Sequence, residues 1–248
     1  MNIKYLISRL WRSKTVQKWI NDHYSDNENL IVDRKFFPYI VTQSGEIFSL
    51  THQIFTLHQT MMDYVFSDIQ KDDIVIDLGA NIGGFCIPAA KLSRNVYAIE
   101  PFTTDELRHN ISKNNVHVNV IEGGLGNGTP SEVLWGVKKT IKTYTFDHIK
   151  SMCGGCDFLK CDCEGYEWFI TPSDLGGIRR IEMEIHNFNP SPHEPKILLD
   201  AIMKEFQTSV ASDRHCEKND NCLNLNFKNH INRIRDIDEV AILHGKRY

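Results

Sequence analysis

No run of about eighteen or more apolar residues occurs in the 248-residue chain, so nothing in it predicts a membrane span. A basic excess is also lacking. The 28 Lys+Arg face 32 Asp+Glu, a formal charge of -4, which argues against a protein that coats phosphate backbones. The opening stretch MNIKYLISRLWRSK has no unbroken apolar core and no small-residue cleavage site, because Lys4, Arg9 and Arg12 interrupt it. A secretory signal is therefore not expected. Without export, the 7 cysteines are expected as reduced thiols and not as a disulfide framework. Internal repeats and low-complexity tracts are missing too. What remains is 41% apolar, 24% charged and 10% aromatic residues, the composition of a folded cytoplasmic domain with length enough for a real core.

Residues 1–29 read as a basic amphipathic helix followed by a polar linker, NDHYSDNEN. Ile3, Leu6, Ile7, Leu10 and Trp11 share one helical face, and Lys4, Arg9, Arg12, Lys14 and Lys18 come with no acidic residue before Asp22. Such a helix packs on the domain or on a second subunit, or lies on an anionic membrane surface as a peripheral contact. Residues 30–70 read as a hairpin turning at Ser44-Gly45, then a helix over 56–70 with Leu57, Met61, Tyr64, Val65 and Ile69 at helical spacing. From 71 to 248 strands and helices alternate. Strands are predicted at 74–77, 95–100, 117–123, 158–162 and 180–186, with a late strand at 221–227. Helices are predicted at 85–92, 104–114 and 197–206. This rhythm implies an α/β, doubly wound, mainly parallel sheet whose ligand crevice lies at the carboxyl ends of the strands.

The first of these strands runs into DLGANIGG (77–84), which is not G-x-G-x-x-G. Asp77 precedes the first glycine, Gly79; Asn81 stands where a second glycine would, and Gly83 follows. A carboxylate there would face the pyrophosphate of a dinucleotide, which disfavours a nicotinamide dehydrogenase. It suits a cofactor with an ammonium group and no phosphate, such as S-adenosylmethionine. Glu100 ends the second strand, 23 residues after Asp77, at the spacing of a carboxylate that accepts ribose hydroxyl protons. Gly124, in EGGLG (122–126), leaves room for an adenine ring, although a glycine-rich turn reads the same way.

Around the fourth strand, FLKCDCEGYE (158–167) gathers Lys160, Asp162, Glu164 and Glu167. Asp162 and Glu164 share a face if the chain stays extended, and close carboxylates raise one another's pKa toward that of a general base. His186 ends the fifth strand, after Glu182 and Glu184. Asp162, Glu164 and His186 are the catalytic candidates, with Asp162 the base and Lys160 pairing with Glu167 to hold the loop. No metal site is assigned. Cys153-x2-Cys156 could cap a zinc site, but the second pair, Cys161-x-Cys163, lacks the usual spacing, and Cys161 and Cys163 should point away from Asp162 into packing. The variant is a divalent ion held by Asp162, Glu184 and His186.

DLGANIG, Glu100-Pro101 and above all LKCDCEGYE (159–167) resemble the FkbM family of S-adenosylmethionine-dependent methyltransferases. TYTFDHI (143–149) resembles that family's T-x-D segment at Thr145 and Asp147. The resemblance covers residues 73–186 and implies a Rossmann-like class I methyltransferase fold with a late antiparallel strand. It also implies S-adenosylmethionine as cofactor and O-methylation of a hydroxyl on a sugar, glycan or other small metabolite. Substrate choice is then expected in 1–70 and 187–248. Nucleic acid is not an expected acceptor, since Asp162-Cys163-Glu164-Gly165 replaces an Asn/Asp-Pro-Pro-aromatic element. A cofactor-binding scaffold recruited through residues 1–20, needing neither Asp162 nor Glu164, is the non-enzymatic reading.

Overall fold

The computed structural model describes residues 30–31, 39–42, 44–49, 57, 60, 63–135, 137–186, 188–212 and 241–248. The predicted N-terminal helix, its linker, the strand at 221–227, Cys216 and Cys222 lie outside the described residues. The chain divides into two compact units, Met1–His52 and Gln53–Tyr248. In the first, β1 (Leu30–Ile31), β2 (Tyr39–Thr42) and β3 (Ile47–Ser49) pair antiparallel. The predicted turn is present: Gly45 takes φ +89°, a conformation glycine reaches without a Cβ penalty.

In the second unit, β4 (Ile74–Leu78), α1 (Cys86–Leu92), β5 (Asn95–Glu100), α2 (Thr104–Asn114) and β6 (Asn119–Glu122) follow in succession. Next come β7 (Gly124–Leu125), β8 (Ser131–Trp135), β9 (Val137–Ile141), β10 (Thr143–Tyr144) and α3 (Phe146–Cys153). The chain continues through β11 (Phe158–Cys161), β12 (Arg180–Ile185), α4 (Pro195–Glu205), β13 (Phe206–Ser212) and β14 (Ala241–Arg247). Seven strands form one sheet in the order β13-β14-β12-β11-β4-β5-β6. All neighbours pair parallel except β14, which is antiparallel to both β12 and β13. This is a doubly wound, mainly parallel α/β sheet with a late antiparallel strand. The switch point lies between β4 and β11, where such sheets open a crevice.

The middle strands are buried on both faces, and the two faces differ in chemistry. On one, Leu78, Cys161, Met183 and Leu243 stand in register and join a cluster with Phe146, Ile149, Trp168, Leu199 and Phe206. On the other, the row in register is Asp77, Lys160, Glu182 and His244, all charged or titratable. Burying such groups is tolerable only when they pair. Lys160 Nζ lies 3.1 Å from Asp77 Oδ1. Glu182 takes Arg180 Nε at 2.7 Å and pairs with His244 Nδ1 at 2.6 Å.

Differences from the sequence reading have local causes. Leu57, Thr60 and Asp63 are helical, but the helix does not run on to Gln70. Beyond Asp63, the Val65 N–H donates to Glu182 Oε2 (3.2 Å), and the Gln70 N–H goes to Asp73 Oδ2 (2.7 Å). Side chains thus take backbone donors that a helix would use. The β8–β9 hairpin, β13, β14 and the helix α3 were not predicted. Thr145 caps α3, accepting the His148 N–H at 3.3 Å, so the T-x-D segment is a helix start. The EGGLG stretch is not a hairpin turn. Gly124–Leu125 pairs parallel with Thr143–Tyr144.

Candidate active site

A cavity of about 590 Å³ opens at the carboxyl ends of β4, β5 and β11. Of the six predicted cofactor residues, Gly79, Asn81, Glu100 and Gly124 line it, whereas Asp77 and Gly83 do not. The loop after β4 is wound left-handed, with φ of +73° at Gly79, +48° at Asn81 and +101° at Gly83. Gly83 lets α1 pack close: a Cβ there would sit 2.7 Å from Ile87 Cδ1. Gly79 is tighter still. A Cβ would fall 1.8 Å from the carbonyl oxygen of Asp162, so the glycine lets the chain leaving β11 come this close to the loop after β4. Gly79→Ala is expected to lower stability by at least about 1–3 kcal/mol, the cost of the left-handed backbone alone. A urea midpoint equal to that of the unsubstituted chain would contradict this.

Glu100 is 5% exposed and is already heavily engaged. Its Oε2 accepts the Asn81 N–H at 2.8 Å, and its Oε1 accepts those of Phe102 (2.6 Å) and Thr103 (3.0 Å). A carboxylate offers about four lone-pair sites, so about one is left, on Oε2. One free site is one fewer than the two hydroxyls of a ribose would use. The buried Thr103 Oγ1, in the same wall, has no hydrogen-bond partner. Asp77 is fully buried behind the wall, where it holds Lys160 instead of facing a ligand. Burial pushes the Asp77 carboxyl up against the pull of Lys160, while Asp77 and Asp162 hold Lys160 charged despite its burial.

At the other end, Asp162 and Glu164 line the cavity. They do not share an extended face, because β11 stops at Cys161 and Glu164 adopts φ +54°. Asp162 Oδ2 lies 3.3 Å from the Tyr64 hydroxyl and 3.7 Å from Lys160 Nζ. The same hydroxyl is 3.3 Å from Glu184 Oε2; having one proton, it donates to one carboxylate at a time. His186 sits behind these groups. Its Nε2 is 3.3 Å from Glu164 Oε2 and 3.5 Å from Glu184 Oε1, and its Nδ1 is 3.1 Å from Glu167 Oε1. Burial opposes charge on His186, but the bonds to Glu164 and Glu167 outweigh it and push the ring up to about 11. Burial, then the Asp162 charge, pushes Glu184 up to about 9.

Two expectations are corrected by this geometry. Lys160 pairs with Asp77 and Asp162, not Glu167, which binds His186 and the Gly165 N–H (2.8 Å). Cys163 lines the cavity and its Sγ lies 3.9 Å from that of Cys161, so the two do not both turn into packing away from Asp162. Among the described residues, the one group able to hold a metal ion is Asp162, Glu184 and His186, and no cysteine cluster qualifies. Tyr64 and Thr103 were missed as site residues. Tyr64 had carried only a helical-spacing signal, since its partners are far along the chain. Thr103 had a signal, its position just after Glu100-Pro101. Among the described residues no helix is long and apolar enough to cross a membrane.

No protein-family model matches the chain. An uncharacterized protein of Methanocaldococcus jannaschii, MJ1452, is 43% identical over 58 residues, a stretch that is 22% of this chain. The chain spans about a fifth (22%) of the length of that relative. Among solved structures, the chain is similar to precorrin-6y C5,15-methyltransferase from Geobacter metallireducens, with TM-score 0.46, 14% identity and coverage of 80% of this chain and 91% of that one. It is also similar to magnesium protoporphyrin IX methyltransferase from Synechocystis with bound S-adenosylmethionine, with TM-score 0.42, 12% identity and coverage of 100% and 98%. For fibrillarin from Aeropyrum pernix in complex with S-adenosylmethionine, the values are 0.44, 13%, 76% and 74%.

Proposed function

We propose that the chain is an S-adenosylmethionine-dependent methyltransferase that methylates a hydroxyl on a sugar, glycan or related small metabolite. The observation that carries this reading is the charge of the cavity wall. Its carboxylate and ammonium side chains are Glu100, Glu132, Asp162 and Glu164 against a single Lys160; that lysine is already paired with Asp77, as Glu132 is with Lys138. Such a wall repels a pyrophosphate and attracts an ammonium and a sulfonium. The volume, about 590 Å³, falls in the range of small-molecule and cofactor sites. Glu100 Oε2 and Thr103 Oγ1 supply acceptors for ribose hydroxyls, and Gly124 leaves the wall flat near Pro101 and Ile141.

When bound, the cofactor supplies an electrophilic methyl group on a sulfonium, which leaves as a neutral thioether. The residues of the chain do the rest. The wall aligns acceptor and methyl group, a contribution of roughly 7–11 kcal/mol in favourable cases. Asp162 takes the hydroxyl proton as the oxygen–carbon bond forms, worth roughly 10²–10⁴-fold. Lys160 and the Tyr64 hydroxyl hold Asp162 in place. The choice of a hydroxyl acceptor follows the resemblance of LKCDCEGYE to the FkbM family.

Calorimetric titration with S-adenosylmethionine, followed by labelled-methyl transfer to a panel of sugars, lipid-linked glycans and small metabolites, tests the reading. Absence of cofactor binding would sink it. Glu100→Gln is expected to weaken binding by at least about tenfold, since a hydrogen bond to a charged group is worth roughly 1.5–3 kcal/mol. The amide must turn a donor toward a backbone N–H whichever way it faces. Unchanged affinity in this variant would remove Glu100 from the cofactor site.

A further inference from the structure

We propose that Asp162, Glu184 and His186 bind a divalent first-row transition cation of the manganese class at the acceptor end of the cavity. One carboxylate oxygen each from Asp162 and Glu184 and a ring nitrogen of His186 lie within 4.8 Å of one another. Donors bound about 2.0–2.2 Å from an ion stand at most about 4.4 Å apart, so a small inward rotation brings all three into bonding range. Two strand ends supply them: Asp162 follows β11, and Glu184 and His186 stand at the end of β12.

A group outside this trio points to the same ligand. Glu167 is fully buried, and its Oε2 is fixed by the Gly165 N–H at 2.8 Å. Its Oε1 accepts the His186 backbone N–H at 2.7 Å and lies 3.1 Å from His186 Nδ1. The Nδ1 proton donates to that oxygen, and an ion binding beside Asp162 and Glu184 displaces the proton on Nε2 and takes its lone pair. A carboxylate holding one imidazole nitrogen so that the other is presented is the arrangement that orients metal-binding histidines. Charge adds to the argument. Asp77, Asp162, Glu167 and Glu184, all buried or partly buried, outnumber Lys160 and His186 in one connected cluster, and such a set of carboxyls is accommodated by taking up protons or a cation.

One imidazole and two carboxylates suit manganese, iron or zinc better than magnesium or calcium, which prefer oxygen alone. Three protein ligands leave positions open for water or for an acceptor oxygen. Asp162 ligating through one oxygen keeps the other for the acceptor. The role of the ion, acidifying the acceptor hydroxyl, rests on the methyl-transfer reading. Binding of the ion does not.

The test is titration of the chelator-stripped full chain with Mn²⁺ alone, following loss of the free-ion electron paramagnetic resonance signal, with S-adenosylmethionine calorimetry run in parallel. One ion per chain is expected. Glu184→Gln, His186→Gln and Glu167→Gln are each expected to weaken Mn²⁺ binding at least about tenfold while cofactor affinity stays unchanged. A chain that binds cofactor but no Mn²⁺, or binds Mn²⁺ equally well with Glu184→Gln and with His186→Gln, overturns the ion site and leaves the methyltransferase reading standing. A chain that binds Mn²⁺ in a manner sensitive to these residues but no cofactor upholds the ion site and overturns that reading.

Discussion

Asp162→Asn is expected to retain S-adenosylmethionine binding and lose turnover by roughly 10²–10⁴-fold, the usual contribution of a positioned base. The amide is nearly isosteric, so the cavity wall keeps its shape. The Asp162 backbone is held independently of its side chain, since its N–H donates to the Leu78 carbonyl at 3.0 Å. What changes is the capacity to accept a proton. The neighbours cannot easily substitute: Glu164 is turned to His186, and Glu184 lies behind the wall, where burial, the largest cause of its upward shift, persists when Asp162 is neutralised. Single-turnover rates with labelled cofactor measure the effect apart from product release. A variant that transfers methyl at the original rate would show that Asp162 is not the base.

Lys160→Met is expected to cost about 3–5 kcal/mol of stability, the penalty of leaving one member of a buried ion pair without its partner. Asp77 is fully buried, and Lys160 Nζ at 3.1 Å is its compensating cation. Lys160 also donates to the Gly79 carbonyl at 2.9 Å and lies 5.4 Å from the centre of the Tyr64 ring. The methionine fills similar volume, so packing loss is small and the electrostatic term dominates. Replacing both partners, Asp77→Leu with Lys160→Met, should restore most of the stability, because an apolar pair carries no desolvation penalty. Urea denaturation of the single and double variants measures both. Equal loss in the two would mean that packing, not charge, is at stake.

Much of this arrangement was legible in the residues. IVID, NVYAIE and FLKCD are short apolar runs bounded by turn residues, and runs buried on both faces have no other reading in an alternating α/β chain. Glu100 and Asp162 could be placed because strand ends face the crevice. What escaped depends on strand order. Lys160 meets Asp77 only because β11 pairs with β4, and no local pattern states that pairing. The same holds for Tyr64, which reaches Asp162 and Glu184 from a segment far away in sequence. FQTSVAS and VKKTI carry too many polar residues to signal strands by themselves. Their pairing partners, β14 and β8, make them so.

The sheet order also separates the cavity by the time at which its walls can form. The cofactor side is built on β4, β5 and β6, successive strands joined by single helices, whose contacts close short loops. The acceptor side requires β11 to return to β4 across the whole intervening chain, and β12 to wait for β14, which follows β13 yet inserts between it and β12. Long closures cost more entropy and are made later. The half proposed to hold the cofactor therefore closes first. On the proposed reading the wall that would meet the acceptor is completed last, and it is tied to the first wall at Lys160 and at Asp162, where β11 braces Asp77 and Gly79.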